Sequence, residues 1–211
     1  ALYLAAAGVG TLGLADYDAV ERSNLQRQIL HGEERVGEPK TGSAASRIRD
    51  LNPDVKTELI DLAIGPGNAA DLVADWDIVI DGTDSFGARY ALNEACIAHR
   101  RPLVYGAVMR FQGQVSVFWP AGRKAGNPPL PCFRCMLPEE PGAADAPSCT
   151  DAGVLGVLPG IIGTLQASEA LKLALEIGTT LAGRLLLVDA LGPEFRTVRL
   201  EARPDCPACS P

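Results

Sequence analysis

Two Cys-x-x-Cys pairs, Cys132/Cys135 and Cys206/Cys209, account for four of the six cysteines in this chain. Each pair has the bite with which two sulfurs of one tight turn reach a single ion, and two such turns complete tetrahedral coordination with no position left for water. The spacing predicts a closed, structural Zn2+ site that ties the end of the chain to its middle. A local disulfide or a redox dithiol within each pair is the alternative. A closed site does no catalysis, so chemistry must be sought elsewhere. His31 and His99 have no Ser or Cys partner in a recognisable nucleophile motif, and no catalytic triad is expected. Asp16 and Asp84 each follow a predicted strand. A carboxylate there lies beside the crevice where nucleotides bind, although Asp is equally the residue of helix caps and turns. Arg27 and Lys40 are cations that can face phosphate or simply stay solvated.

Composition bounds these readings. The 211 residues, 47% of them apolar, fill one sizeable core and demand no second domain. A net charge of −7 with no basic run argues against nucleic acid as a partner. The longest apolar stretch, Ala152 to Gln166, is interrupted by glycines and Pro159 and is too short to span a bilayer. No signal peptide is evident, and six cysteines with four assigned to metal suit a reducing cytoplasm.

The elements that must position these residues alternate. Helix is expected over Ala1 to Ala7, strand over Thr11 to Ala15, helix over Thr41 to Leu51 and strand over Val55 to Ile60. The continuous apolar run of Ile78, Val79 and Ile80 predicts a strand from Asp77 to Asp81 covered on both faces, followed by a helix from Phe86 to His99. Strand is expected again over Leu103 to Val108. Gln114 to Phe118 alternates as an antiparallel strand does, and Leu185 to Asp189 with Phe195 to Leu200 suggest a late hairpin. The fold class is therefore α/β, a Rossmann-like and mostly parallel sheet with helices on both faces and antiparallel strands added in the C-terminal half. Pro120 to Pro147, rich in Gly, Pro and Ala, reads as a long crossover loop that is partly mobile. Gly8-Val9-Gly10-Thr11-Leu12-Gly13 has the spacing of a dinucleotide fingerprint but follows a helix and leads into a strand, the reverse of what that motif requires. Its glycines are expected to end the helix instead. Cys149, at the end of the loop and before a helix placed from Ala152 onward, gains thiolate character from a helix N-terminus. Cys96, in an amphipathic run, reads as core.

A series of motifs then runs in order through the chain. Asp16-Tyr-Asp18-Ala-Val-Glu-Arg-Ser-Asn24-Leu-Gln-Arg27-Gln28 is followed by Gly37-Glu-Pro-Lys40, Leu51-Asn52-Pro53 and Asp81-Gly-Thr83-Asp84-Ser85. Pro102-Leu-Val-Tyr-Gly106, Phe111-Gln-Gly-Gln114-Val, Pro131-Cys132-Phe-Arg-Cys135, Cys149-Thr-Asp-Ala-Gly153-Val, Gly163-Thr-Leu-Gln166-Ala-Ser-Glu169-Ala and Cys206-Pro-Ala-Cys209 complete it. The series resembles the adenylating enzymes that activate ubiquitin-like proteins, specifically the molybdopterin-synthase and thiamine-sulfur-carrier adenylyltransferases, over essentially the whole chain. Ser85 stands where Asn is common in that family. The family's N-terminal helices and glycine-rich loop would precede Ala1, and no sulfur-transfer domain of the kind some members carry is expected after Pro211.

The resemblance implies an ATP-dependent adenylyltransferase acting on the Gly-Gly carboxylate of a ubiquitin-like sulfur-carrier protein, in molybdopterin, thiamine or tRNA thiolation pathways. It assigns Asp16 to the ribose, Asp84 to Mg2+, and Arg27 and Lys40 to phosphate charge, with Asn24 and Gln28 orienting phosphate or carboxylate. Fixed cations are what the encounter of two anions needs, each well-placed donor being worth ~3 kcal/mol in the transition state. It further implies that Cys149 attacks the adenylated carrier or joins a sulfur-transfer intermediate, and that the protein is a homodimer, with Val154 to Leu165 buried there or within the subunit. The crossover loop is expected to cover the threaded tail. Phe111, Phe118 and Trp119 are expected either to contact the carrier's body or to pack in the core. A zinc-stabilised module that binds a carrier without activating it is the alternative function.

Overall fold

The computed structural model describes residues 1–122, 128–142 and 153–210. Two units divide the chain, Ala1–Ile64 and Gly65–Pro211.

In the N-terminal unit, β1 (Thr11–Ala15) and β2 (Lys56–Ile60) pair in parallel, Thr11 opposite Lys56 and Ala15 opposite Ile60. Helix α1 (Leu2–Ala6) precedes β1, and α2 (Lys40–Leu51) comes between the strands in sequence. Gly8, at a φ of +79°, reverses the chain after α1, its N–H donating to the Ala5 carbonyl at 3.0 Å while Val9 donates to Leu4 at 3.1 Å. The glycine run thus closes a helix and opens a strand, as its order in the sequence predicts. Ala5, Ile48 and Val55 form the core, with Leu12 and Leu14 of β1 packed on it. Asn52, beyond α2, donates to the Ala5 carbonyl at 2.8 Å and fastens the two helices.

The C-terminal unit is built on a sheet of order β3-β4-β5-β6-β7. Its strands are β3 (Val79–Asp81), β4 (Leu103–Met109), β5 (Gln112–Phe118), β6 (Arg184–Asp189) and β7 (Glu194–Arg199). Only β3–β4 is parallel here; the other three pairings are antiparallel. The architecture is thus α/β, parallel strands followed by antiparallel ones. Strand β3 is shorter than the expected Asp77 to Asp81, and Ile80 is 37% exposed rather than covered on both faces, because β3 lies at the edge of its sheet.

Among the described residues of this unit the α-helices are α3 (Ala69–Ala74), α4 (Phe86–Ala98), α5 (Phe133–Met136) and α6 (Leu158–Leu175). The region expected as a loop over Pro120 to Pro147 contains a 3-10 turn, Pro120–Gly122, and α5, so its described part is not loop throughout. Helix α6 begins at Leu158, not near Ala152. Gly153 turns at a φ of +72°, and Val154 bridges Arg110 in parallel, with the Leu155 N–H donating to the Arg110 carbonyl at 2.9 Å. Those backbone groups are spent on the sheet side, and helix starts only where Pro159 occupies its first turn.

Leu158 and Ile162 of α6 pack with Val115 and Val188 to form the core. Two glycines permit this approach. A Cβ at Gly113 would lie 2.4 Å from the Ile162 side chain, and one at Gly106 would lie 2.4 Å from that of Gln166. Among the described residues no helix is long and apolar enough to cross a membrane.

Gln166 cannot retreat from Gly106 without losing its donations to the Asp81 and Val104 carbonyls, at 2.7 and 3.1 Å. Gly106→Ala is therefore expected to lower unfolding free energy by about 1–3 kcal/mol, read from the urea midpoint of the purified variant.

Candidate functional site

The segment between β1 and α2 carries most of the charged residues singled out in the sequence. It doubles back on itself. Gly37, at a φ of +90°, donates to the Val20 carbonyl at 2.9 Å, Val20 donates to Glu38 at 2.8 Å, and Lys40 N–H reaches the Asp18 carbonyl at 3.0 Å. Lys40 consequently becomes the first residue of α2, with Pro39 as cap and no side-chain cap bond. A cation is disfavoured at that end of a helix, where the macrodipole is positive. Two carboxylates offset it. Lys40 Nζ lies 2.6 Å from Asp18 Oδ2 and 3.7 Å from Asp16 Oδ2, and the residue is buried. Asp16, just past β1, also accepts the Asp18 N–H on Oδ1 at 2.9 Å, so it serves as turn former and counter-ion at once.

Arg27 and Asn24 form a second group in this segment. The Arg27 guanidinium donates to Asn24 Oδ1 at 2.6 Å and to the Ser23 carbonyl at 3.4 Å. Gln28 Oε1 is buried with no hydrogen-bond partner among the described residues. An orphan acceptor of that kind fits a site awaiting a donor. His31, for which no nucleophile partner was expected, contacts Ser43 Oγ through Nδ1 at 2.8 Å. Ser43 is buried, so the pair is a packed hydrogen bond rather than an exposed nucleophile.

In the C-terminal unit, Asp81 ends β3, and Asp84 lies exposed just ahead of α4. Asp81 Oδ1 accepts from Thr83 N–H and Oγ1 at 2.8 and 2.7 Å. Arg89 donates to the Thr83 carbonyl at 2.6 Å. Ser85 Oγ accepts the Ala88 N–H at 3.4 Å and caps α4. The Asp84 carboxylate is engaged in no hydrogen bond or ion pair among the described residues, and a hard oxygen donor of this kind suits Mg2+, which takes one or two carboxylates and completes its shell with phosphate and water.

The four thiols meet. All four sulfurs lie within 4.8 Å of one another, with Cys132–Cys135 at 3.9 Å, Cys132–Cys206 at 3.6 Å and Cys135–Cys209 at 3.5 Å. None of these is a disulfide, whose sulfurs sit at ~2.05 Å. Four sulfurs at ~2.3 Å from a tetrahedral zinc ion are separated by ~3.8 Å, and the observed spacings match that donor set. The knuckle is docked by α4: Asn93 Oδ1 accepts the Phe133 N–H at 2.8 Å, Tyr90 donates to the Leu137 carbonyl at 2.9 Å, and Arg134 pairs with Glu94 at 2.6 Å. Tyr90, Tyr105 and Phe118 surround the Phe133 ring.

The structure thus gathers Asp16 with Lys40, Asn24 with Arg27, and the four cysteines, while Asp84 belongs to the other unit. Cys149 lies outside the described residues, and the helix expected to begin right after it starts only at Leu158. Phe118 is core; Phe111 is 42% exposed and borders a hollow of about 470 Å3 with Met109 and Leu191. Trp119 donates to the Arg100 carbonyl at 3.1 Å. Within Val154 to Leu165, Leu158 and Ile162 are buried inside the unit. Cys96 is core as expected, its thiol pushed up to about 12 by burial and by Asp81. Asp18, Thr83, Arg89, Asn93 and Gln166 were not anticipated as site-forming residues, although Asp18, Thr83 and Gln166 stand inside the motifs.

Burial and the Lys40 ammonium hold His31 below its ordinary value of 6.5, against a smaller pull upward from Asp16. The unfolded chain therefore takes this proton more readily, and the stability present above pH 6.5 is lost as pH falls toward the folded value. His31→Gln is expected to flatten the fall in urea midpoint between about pH 7.5 and about pH 5.5.

Residues 1–208 match the ThiF family. The SAMP-activating enzyme E1 of Haloferax volcanii is 47% identical over 207 residues, 98% of this chain and 74% of that protein. The sulfur carrier protein adenylyltransferase of Thermus thermophilus is 45% identical over 212 residues, 98% of this chain and 76% of that protein. The adenylyltransferase and sulfurtransferase MOCS3 of Bos taurus is 48% identical over 210 residues, and there the chain spans only 45% of the relative's length. In fold, the chain is similar to E. coli MccB, with a TM-score of 0.84 at 19% identity over all of this chain and 62% of that one. On a family match from residue 1 to residue 208 and relatives near half identity across it, the chain belongs to the ThiF family.

Proposed function

We propose that this chain adenylates the C-terminal Gly-Gly carboxylate of a ubiquitin-like sulfur-carrier protein, readying it to receive sulfur. The observation that carries the reading is the near-complete match to relatives named as a SAMP-activating E1 and a sulfur carrier protein adenylyltransferase, with Asp16, Asn24, Arg27, Gln28, Lys40 and Asp84 inside the family match. A carrier carboxylate oxygen bonds to the α-phosphorus of ATP, the bond from that phosphorus to the β-phosphate bridging oxygen breaks, and pyrophosphate leaves. Both reactants are anions, so the barrier is largely electrostatic. Arg27 and Lys40 oppose that charge. The pairing of Lys40 with Asp16 and Asp18 supports its role, because it fixes the side chain's terminal nitrogen at the end of β1. Asp16 takes the ribose hydroxyls, and Asn24 and Gln28 orient phosphate or carboxylate through their side-chain N–H groups. Asp84 would hold Mg2+, which when bound would offset the charge of the phosphates.

Cys149 is assigned attack on the carbonyl carbon of the acyl adenylate, the thiol losing its proton and AMP leaving as a thioester forms, or a place in a sulfur-transfer intermediate, and the four-thiol cluster a structural zinc ion. Phe111 and the hollow beside it face the carrier's body. We place the protein in the cytoplasm as a homodimer, on the four thiols kept free for metal and on the family's habit respectively.

ATP–pyrophosphate exchange by the full-length protein should rise on adding a carrier ending in Gly-Gly and fall by about 100-fold or more in Arg27→Ala and Asp84→Ala. Capture of the carrier with no exchange would instead identify the non-catalytic binding module. Zinc is checked separately. Elemental analysis is expected to find one zinc ion per chain, absent from Cys132→Ser and Cys209→Ser, and a chelator should lower the thermal midpoint of the wild type but not of either variant.

A further inference from the structure

The residues behind Asp84 carry an inference that rests on the adenylation reading. We infer that Asp81, Thr83 and Arg89 form a positioning unit which fixes the turn bearing Asp84 and thereby sets its affinity for a divalent cation.

Thr83, the residue immediately before Asp84, is held at every polar group it has. Its N–H and hydroxyl go to Asp81 Oδ1 at 2.8 and 2.7 Å, and its carbonyl accepts from Arg89 at 2.6 Å. Ser85, on the other side, is fixed by capping α4. Asp84 alone in this turn keeps its carboxylate free of hydrogen bonds and ion pairs among the described residues, and it is exposed. The clamp is itself braced. The Arg89 guanidinium lies 5.5 Å from the Phe86 ring centroid and 5.5 Å from that of Tyr105, while the Asp81 carbonyl accepts from Gln166 at 2.7 Å.

Stability alone does not account for this pair. A buried Asp–Arg pair recovers its desolvation cost only with excellent geometry, and apolar residues of like volume usually do as well or better. Here Arg89 Nε and Asp81 Oδ2 are 3.5 Å apart, and each is buried with no hydrogen bond. The pair's good hydrogen bonds are directed at Thr83 instead. Groups that orient a metal-binding side chain from behind typically change metal affinity by 10–100-fold when removed.

The test uses Mn2+ as probe, its binding to the full-length protein in the presence of ATP and without carrier read from the electron paramagnetic resonance signal of the free ion. Thr83→Val and Arg89→Lys are expected to weaken Mn2+ binding by about 10-fold or more while circular dichroism shows folded protein. Thr83→Ser, which keeps both donors, retains wild-type binding. Wild-type affinity in both Thr83→Val and Arg89→Lys would overturn the inference and leave the adenylation reading standing. Wild-type affinity in Asp84→Ala would overturn the assignment of Asp84, and this inference with it.

Discussion

A carboxylate with 1% exposure at the end of a strand sets terms for everything near it. Burial pushes the Asp81 pKa up, opposed by Arg89 and by the two donations from Thr83. Taking away the partner of such a charge costs about 3–5 kcal/mol, so the chain after β3 must return Arg89 to the strand it has just left. That requirement explains the local order: a short turn, a Ser cap, and a helix whose first turn carries the arginine back. It also explains Tyr105 of β4 lying beside the guanidinium, and Gly106 next to it, where the bare backbone admits Gln166.

The N-terminal unit solves a related problem by other means. Lys40 begins α2, where a helix repels cations by about 0.3–1 kcal/mol. Asp16 and Asp18 outweigh that repulsion because the turn at Gly37 brings the start of α2 against the end of β1. In each unit a buried charge meets its counter-charge across a strand-to-helix connection, a short one between Asp81 and Arg89 and a longer one, folded back at Gly37, between Asp18 and Lys40.

Period and punctuation revealed the elements, since apolar runs and the glycines after the first helix are local signals. Thr11–Ala15, Phe86–Ala98 and the late hairpin needed nothing more. Features that depend on distant partners stayed hidden. Ile80 read as doubly covered because a strand's place in the sheet order is not written in its own residues. The start of α6 was misplaced because the Arg110–Val154 bridge, which delays it, joins segments far apart in sequence. The four-thiol cluster was legible because metal chemistry fixes ligand type and spacing together. The clamp on Thr83 was not: Asp, Thr and Arg in one stretch are ordinary, and only the path of the turn makes them a unit.

The sulfur cluster has a consequence for synthesis. Cys132 and Cys135 emerge from the ribosome well before their partners, and Phe133 between them belongs to the aromatic packing around Tyr90 and Tyr105. Their knuckle can be completed only once Cys206 and Cys209 are free, so the C-terminal unit must finish assembling after nearly all of its residues have been translated.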